Sequence, residues 1–395
     1  MTDYDIITVG GGIAGSSLAK AMAERGHRVL VIESTPEFKD RVRGEWIAPW
    51  GVAEAKELGL YATLMAAGGR PVPFMQTQAG PAPLPRRNVE EDTPLKLPAV
   101  CIYHPAMQEG LLQAAIEAGA ELRRPARVSG VSSGAEPSVG VDGETLSARL
   151  VVGADGRNSS VRRWGSFAVE EDNPEQVLSG VLLENVPIDP DVSVLVFNFV
   201  LGQNALLFPQ GNGRVRAYFG CRTSSGMRLT GDADFRRFIE ECIRTGASAG
   251  SYEGATQAGP LATFDGHDSW VERPYRDSVV LVGDAAATSD QTWGQGCSIA
   301  FAHARRLRDA LLSTDDWDAA GEQYAETAAE MFGHIRRVES WFTEVMMDPS
   351  AEANAVRMKV LPRLAVDQSL IPDTTISGPE LAPADEAARA RMLGE

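Results

Sequence analysis

The sequence predicts an α/β protein: a doubly wound βαβ domain, an inserted, mainly antiparallel β-sheet domain, and a helical C-terminal region. Three observations predict it. Residues 5–33 read as apolar strand, glycine-rich turn, helix and second apolar strand, the order of a right-handed βαβ unit. Residues 192–222 alternate runs rich in Val, Phe and Tyr with turns bearing Gly and Asn, the pattern of antiparallel strands. Beyond residue 296 the chain is dominated by long stretches of helical periodicity. A length of 395 residues also exceeds a typical single core and points to two domains with a helical tail.

The elements follow in order. Residues 5–9 form a short apolar strand. Residues 15–25 place Leu18, Ala19, Met22 and Ala23 at helical spacing, Gly26-His27 ends that helix, and residues 28–32 form the second strand. A short helix fits 53–58, ended by Gly59. Residues 68–98 are rich in Pro and Gly and read as turns and irregular extended chain. Residues 105–117 are helical, with Pro105 in the first turn. Strands at 127–131, 138–141 and 145–150 make a meander with Asp142-Gly143 as its hairpin turn. Strands at 192–200, 205–208 and 214–222 are separated by Gly202-Gln203-Asn204 and Gly211-Asn212-Gly213. Residues 232–244 form an amphipathic helix with Phe235, Phe238, Ile239, Cys242 and Ile243 on one face. Residues 278–282 form a buried strand, 297–312 and 317–347 are helical, and the chain from 376 is Pro-, Ala- and Glu-rich and expected to be partly disordered.

Charge excludes some partners. Lys and Arg number 37 against 54 Asp and Glu, a formal net charge of −17, which repels nucleic acid and anionic lipid at long range. No nucleic-acid partner and no stable membrane association are therefore expected. The acidic start lacks the pattern of a secretory signal, and no apolar run reaches the roughly 20 residues of a membrane helix, so a cytoplasmic location is expected. Cys101, Cys221, Cys242 and Cys297 are far apart and form no metal-binding or redox spacing; no metal site is expected.

The first chemical motif is Gly10-x-Gly12-x-x-Gly15, with Ile13 and Ala14 between the last two glycines at the helix start. Gly10 permits the tight turn, Gly12 lets a pyrophosphate approach the backbone, and Gly15 lets the helix pack close to the strand. The helix N-terminus adds free N–H groups and a positive dipole end. Glu33 ends the second strand, where a carboxylate accepts ribose hydroxyls and disfavours a 2′-phosphate. These features read as a dinucleotide cradle and leave FAD and NAD open. Arg43, next to Gly44 and near Arg41 and Glu45, is the cation expected to reach a phosphate or the edge of the cofactor ring.

Two more stretches narrow the choice: Gly153-Ala-Asp155-Gly156-Arg-Asn-Ser-Ser-Val-Arg162, and Gly283-Asp284-Ala-Ala286 followed by Gly294-Gln295-Gly296. With them the chain resembles the FAD-dependent aromatic hydroxylases, the para-hydroxybenzoate hydroxylase-like group A flavoprotein monooxygenases, most strongly over 1–60, 100–165 and 275–312. The resemblance implies a discontinuous, glutathione-reductase-like FAD-binding domain over 1–70, 99–174 and 269–318. It implies a substrate-binding domain over 71–98 and 175–268, a helical region over 319–375 and a tail over 376–395. It assigns cofactor contacts to Gln108, to Asp155 and Gly156 with Arg162 as a supporting cation, and to Gly283 and Asp284 at the sugar hydroxyls. The backbone of Gly294, Gln295 and Gly296 is assigned to the isoalloxazine edge.

Departures from that family concern the reaction more than the cofactor. Ala287 and Asp290-Gln291 replace the usual His and Pro-Pro, and His104 stands where relatives often carry Arg. Trp293 precedes Gly294, where smaller residues are common, and is expected to wall the active site. Trp293, Gly294, Gln295 and Gly296 are thus the candidates for positioning at the flavin edge, and no catalytic base is assigned. His267 and Asp268 are candidates for a base, Arg216 and Tyr218 for binding an anion, and Phe197, Phe199, Phe208 and Tyr218 for the substrate wall. Phe197 and Phe199 are expected on one face.

The implied reaction is monooxygenation of an aromatic or polyketide-like small molecule. NADH or NADPH reduces the flavin, O2 adds at C4a, and the hydroperoxide transfers one oxygen atom. The alternatives are a flavin-dependent epoxidase, halogenase or ene-reductase on the same scaffold, fed by a separate flavin reductase, and a protein that holds FAD without turnover. The helical tail either covers the core or pairs two copies as a homodimer.

Overall fold

The computed structural model describes residues 2–80, 82–382 and 384–395. Its first sheet is built around the strand Tyr4–Val9, which pairs in parallel with Val29–Ile32 on one side and with the end of Glu144–Gly153 on the other. Glu121–Arg123 extends the sheet beyond Val29–Ile32, and Val279–Leu281 extends it beyond Glu144–Gly153, again in parallel. A parallel sheet is covered on both faces, which is why Val29–Ile32 and Val279–Leu281 are unbroken apolar runs. The helix Ile13–Ala23 is buried along its whole length against one face. The beginning of Glu144–Gly153 serves a different sheet segment. It pairs antiparallel with Ser138–Val141, which pairs with Val128–Ser132, and Asp142 and Gly143 make the hairpin turn at φ of +51° and +82°.

The parallel strands all end at one edge. Gly10, Glu33, Ala154 and Val282 directly follow the strand ends there, so four peptides separated in sequence meet where ligands bind open α/β sheets.

The second sheet runs Gln176–Glu184, Arg214–Arg222, Gln203–Gly211, Val192–Asn198, antiparallel throughout. Side-chain alternation divides it cleanly. Val177, Val196, Leu207, Ala217 and Phe219 face the helix Phe235–Thr245, whereas Leu178, Leu195, Phe197, Leu206, Phe208 and Tyr218 face the first domain. The fold class expected from sequence is the one observed.

Several local expectations need correction. Residues 68–98 are not wholly irregular. Phe74–Ala79 is a strand that joins the second sheet in parallel beside Val192–Asn198, its hydrogen bonds outweighing the weak propensity of a Gly- and Pro-rich stretch. The strand expected at 205–208 runs Gln203–Gly211, and the turn before it lies at residues 199–202. Phe199 therefore stands beyond the strand end, under Gly80 and against the Arg357 guanidinium, and does not share a role with Phe197. Ile243 is exposed, because Phe238, Cys242 and Thr245 fill the buried stripe of its helix.

The C-terminal region is helical at Trp317–Met346, Ala351–Val366 and Glu386–Leu393. The first of these covers the parallel sheet: the Tyr324 hydroxyl donates to the Leu281 carbonyl (2.8 Å), and Gly321 lets the ring of Tyr275 lie against the helix. The expectation of partial disorder after 376 is wrong for the described residues. Ala384, Ala388, Met392 and Leu393 are buried with Trp341, Val360 and Leu364, so composition concealed a short helix that docks.

Candidate active site

A cavity of about 940 Å³ runs from the strand-end edge of the parallel sheet, under the second sheet, to the C-terminal helices. Its first half is lined by Gly10, Gly12, Ile13, Ala14, Glu33, Arg43, Gln108, Asp155, Gly156, Gly283 and Asp284, and its middle by Trp293, Gly294 and Gly296. Three residues from the sequence assignment are not on its surface: Gly15, Arg162 and Gln295.

The glycines show why the turns need them. A Cβ on Gly10 would lie 2.3 Å from the Ala154 carbonyl oxygen, and its φ is +106°. One on Gly15 would lie 2.1 Å from the Gly10 oxygen, so Gly15 serves close packing of helix on strand. Gly12, Gly156 and Gly296 differ: a built Cβ meets only Gln108 Nε2 at 3.6 Å for Gly12, and nothing within 4 Å for the other two. These three present open backbone to the cavity.

The helices Ile13–Ala23 and Gly296–Ser313 begin at the cavity, and neither has a side-chain cap. The helices Trp317–Met346, Ala351–Val366 and Glu386–Leu393 are capped by Asp316, Ser350 and Asp385. Uncapped N-termini leave N–H groups and positive dipole ends for a negatively charged ligand. The carboxylates add acceptors. Glu33 is buried and takes the Gly11 N–H on one oxygen (2.9 Å) and the Thr35 N–H on the other (2.8 Å). The Asp284 carboxylate meets only Arg43, at 3.4 Å, among the described residues, and burial pushes its carboxyl above the usual carboxylate range. Free N–H groups at two helix starts, open glycine backbone and an under-partnered carboxylate fit a diphosphate flanked by sugar hydroxyls.

The segment carrying Arg43 is fixed from beneath by a buried ion network. Arg216 is 0% exposed and Glu45 1%. Arg216 donates through Nε and Nη2 to the two Glu45 oxygens at 2.8 Å each, and through Nη2 to Asp40 at 2.8 Å. Gln210 and the His104 N–H also donate to Glu45. Burial pushes the Glu45 carboxyl up, and Arg216 pulls it back. The Gly44 carbonyl accepts from His104 Nδ1 (2.7 Å) and Cys297 Sγ (3.4 Å), and the Arg43 carbonyl from the Tyr218 hydroxyl (3.0 Å). Burial pushes the His104 ring down to about 4 and the Cys297 thiol up to about 12, so both are neutral hydrogen-bond donors at pH 7.

Other assignments change. Arg162 turns away from the cavity to the Arg157 carbonyl (2.7 Å), because its backbone is held in the short helix Ser160–Trp164. The Asp155 carboxylate accepts from Ser159 Oγ and from the N–H groups of Ser160 and Val161, so its observed work is to fold that turn. The Gln295 side chain joins Trp50 Nε1 (2.9 Å) to the Trp293 carbonyl (2.7 Å) and is fully buried, leaving only its backbone near the cavity. His267 lies against the Arg157 guanidinium, and Asp268 accepts from the Asp290 N–H and Arg336; neither reaches the cavity, so neither can serve as its base. Arg216, sequestered by Glu45 and Asp40, is not an anion receptor. Sequence reasoning missed Arg157 and Arg127, which line the cavity. Arg157 follows Asp155-Gly156 directly and was legible from that motif; Arg127 carries no local signal.

Trp293 stands in the wall, stacked at 20° on Phe197 with centroids 6.0 Å apart, and its Nε1 donates to Thr343 Oγ1 (3.2 Å). Beyond it the cavity is mainly aromatic and aliphatic, lined among others by Phe208, Phe342, Leu361 and Leu364.

A family profile described as FAD binding domain matches residues 3–328. The chain belongs to this family. It is an oxidoreductase of the aromatic hydroxylase-like, FAD-dependent monooxygenase family. This flavoprotein is 28% identical over 320 residues to digeranylgeranylglycerophospholipid reductase 2 of Methanothermobacter thermautotrophicus, covering 75% of this chain and 74% of that one. It is 29% identical over 329 residues to rifampicin monooxygenase of Streptomyces venezuelae, covering 80% of this chain and 66% of that one. In structure it is similar to an HpxO variant of Klebsiella pneumoniae complexed with FAD, at TM-score 0.78 and 19% identity, over 97% and 100% of the two chains. PqsL of Pseudomonas aeruginosa in complex with 2-aminobenzoylacetate is similar at TM-score 0.68 and 23% identity, over 87% and 95%. These two likenesses establish the fold. No helix is long and apolar enough to cross a membrane, and no cluster of metal-ligating side chains occurs among the described residues.

Proposed function

We propose that the flavoprotein is a monooxygenase that uses NADH or NADPH and O2 to place one oxygen atom in an uncharged aromatic or polycyclic small molecule. One observation carries this reading: the polar, glycine-lined half of the cavity opens directly into an aromatic half, with Trp293 and Gly294 at the junction. FAD, when bound, supplies two-electron redox chemistry and activation of O2. Gly10, Gly12 and the start of Ile13–Ala23 would hold its diphosphate, Asp284 its sugar hydroxyls, and the backbone at Gly294–Gly296 its ring edge.

The chain's own residues orient and exclude. Phe197, Phe208 and Trp293 present apolar faces to a flat substrate and keep water from the junction. Neutral His104 and the Arg43–Asp284 pair give the junction hydrogen bonds with little net charge. No side chain there is a strong free base, which suits an electron-rich substrate that needs placement more than deprotonation.

The test is anaerobic reduction of the FAD-loaded protein by NADH and by NADPH, with and without phenols, quinones and polyenes. Faster bleaching with one compound, and a product heavier by one oxygen atom in air, support the reading. A saturated product without oxygen gain would replace it with a reductase, the second reading, favoured by the likeness to a lipid reductase. Turnover only with an added flavin reductase would support the two-component epoxidase or halogenase type. Bound FAD with no turnover in any regime would leave a binding protein.

A further inference from the structure

The far end of the cavity is made mostly by residues outside the matched family span, which ends at residue 328. Phe342, Met346, Leu361, Leu364, Ile371 and Met392 line it, facing Leu84 and Pro85 from the second domain. The two charged groups there neutralise each other: Arg87 donates to both oxygens of Asp373 at 2.7 Å each. Gln368 is turned to the Pro85 carbonyl (3.2 Å). Arg43, paired with Asp284, and Arg157, directly after Asp155-Gly156, lie at the other end instead. This end is continuous with the junction through Trp293, which tilts on Phe342 with centroids 5.7 Å apart.

We propose that the C-terminal helices build a hydrocarbon subsite, which takes an uncharged apolar portion of the substrate remote from the reacting atom. An unpaired charge placed there would lose its hydration without gaining a partner, whereas each methylene gains by leaving water. The subsite thus selects for substrates longer than a single ring, and Leu364 and Ile371 set how much longer.

This rests on the reading that substrate meets FAD at Trp293. The test is calorimetric titration of FAD-loaded protein with para-alkylphenols from methyl to decyl, and with the same phenols ending in a carboxylate. Kd should fall about threefold to fourfold per methylene until the subsite is full, and a terminal carboxylate should weaken binding at least about tenfold. Leu364→Trp and, at a less buried position, Ile371→Trp should leave the methyl member unchanged and weaken the long members about tenfold or more. A Kd independent of chain length, or long members bound equally by both variants and the parent, would overturn the subsite. If a variant fails to fold, the chain-length series on the parent decides. Failure of the parent to retain FAD would sink the function reading instead, and is seen before any titration begins.

Discussion

The glycine-lined half of the cavity, proposed to take FAD, is made mostly by short peptides that follow the ends of parallel strands, while the aromatic half, proposed to take substrate, is assembled from side chains between Met75 and Met392. The first half uses backbone: turns at Gly10 and Gly156 and two helix starts without caps. The second uses bulk: rings and aliphatic chains from two sheets and the C-terminal helices. Phosphates and sugars need fixed donors and acceptors, which only a few local geometries provide. An apolar substrate needs volume and dryness, which many residue combinations provide. The cofactor half should therefore fail at single atoms, and the substrate half by degrees.

The largest contrast lies beneath each half. Arg216→Leu should leave Glu45 and Asp40 buried without a partner, lower stability by roughly 3–5 kcal/mol, and release FAD as the Arg43–Glu45 segment loosens. Leu206→Ala in the other half should cost a comparable roughly 2–5 kcal/mol and retain FAD. Urea unfolding and the FAD content of each variant read both effects. Loss of FAD from both, or from neither, would remove the distinction.

Acid should act on the cofactor half first. The His104 ring titrates near 4 when folded, against an ordinary value of 6.5, so the unfolded chain binds the proton first. Its contribution is complete above pH 6.5 and drains as pH falls toward 4, by on the order of 3 kcal/mol. His104→Gln should flatten that part of the stability profile, and an unchanged slope would show that His104 does not carry it.

Gly10→Ala should weaken FAD binding at least about tenfold, because the new methyl meets the Ala154 carbonyl at 2.3 Å on a backbone at φ +106°. Equal affinity in an FAD titration would mean the turn relaxes. The smallest effect belongs to Cys297→Ser. The thiol is neutral and only donates to Gly44, so turnover should change less than about twofold, and a large loss would reveal chemistry at sulfur.

Legibility in the sequence follows the same division. The βαβ unit could be read because its strand, turn and helix signals lie within a few residues of one another, and Gly10, Gly12, Glu33 and Asp284 could be placed at the cavity from the motifs that contain them. Arg162 was misplaced because direction, not position, decides a long side chain's role: it turns to the Arg157 carbonyl. Arg216 was read as an anion receptor because a strand position says nothing of a partner 171 residues away, here Glu45. The docked C-terminal helix was missed because its apolar positions gain meaning only against Trp341 and Val360.

The most direct measurement is the visible spectrum of the purified protein during titration with naphthol, an uncharged two-ring phenol. The expected result is a yellow protein whose flavin bands shift saturably, since the ring edge and the substrate meet at Trp293. A protein that takes up no FAD, or one that binds naphthol by calorimetry with no change in the flavin bands, would contradict the junction on which the two halves depend.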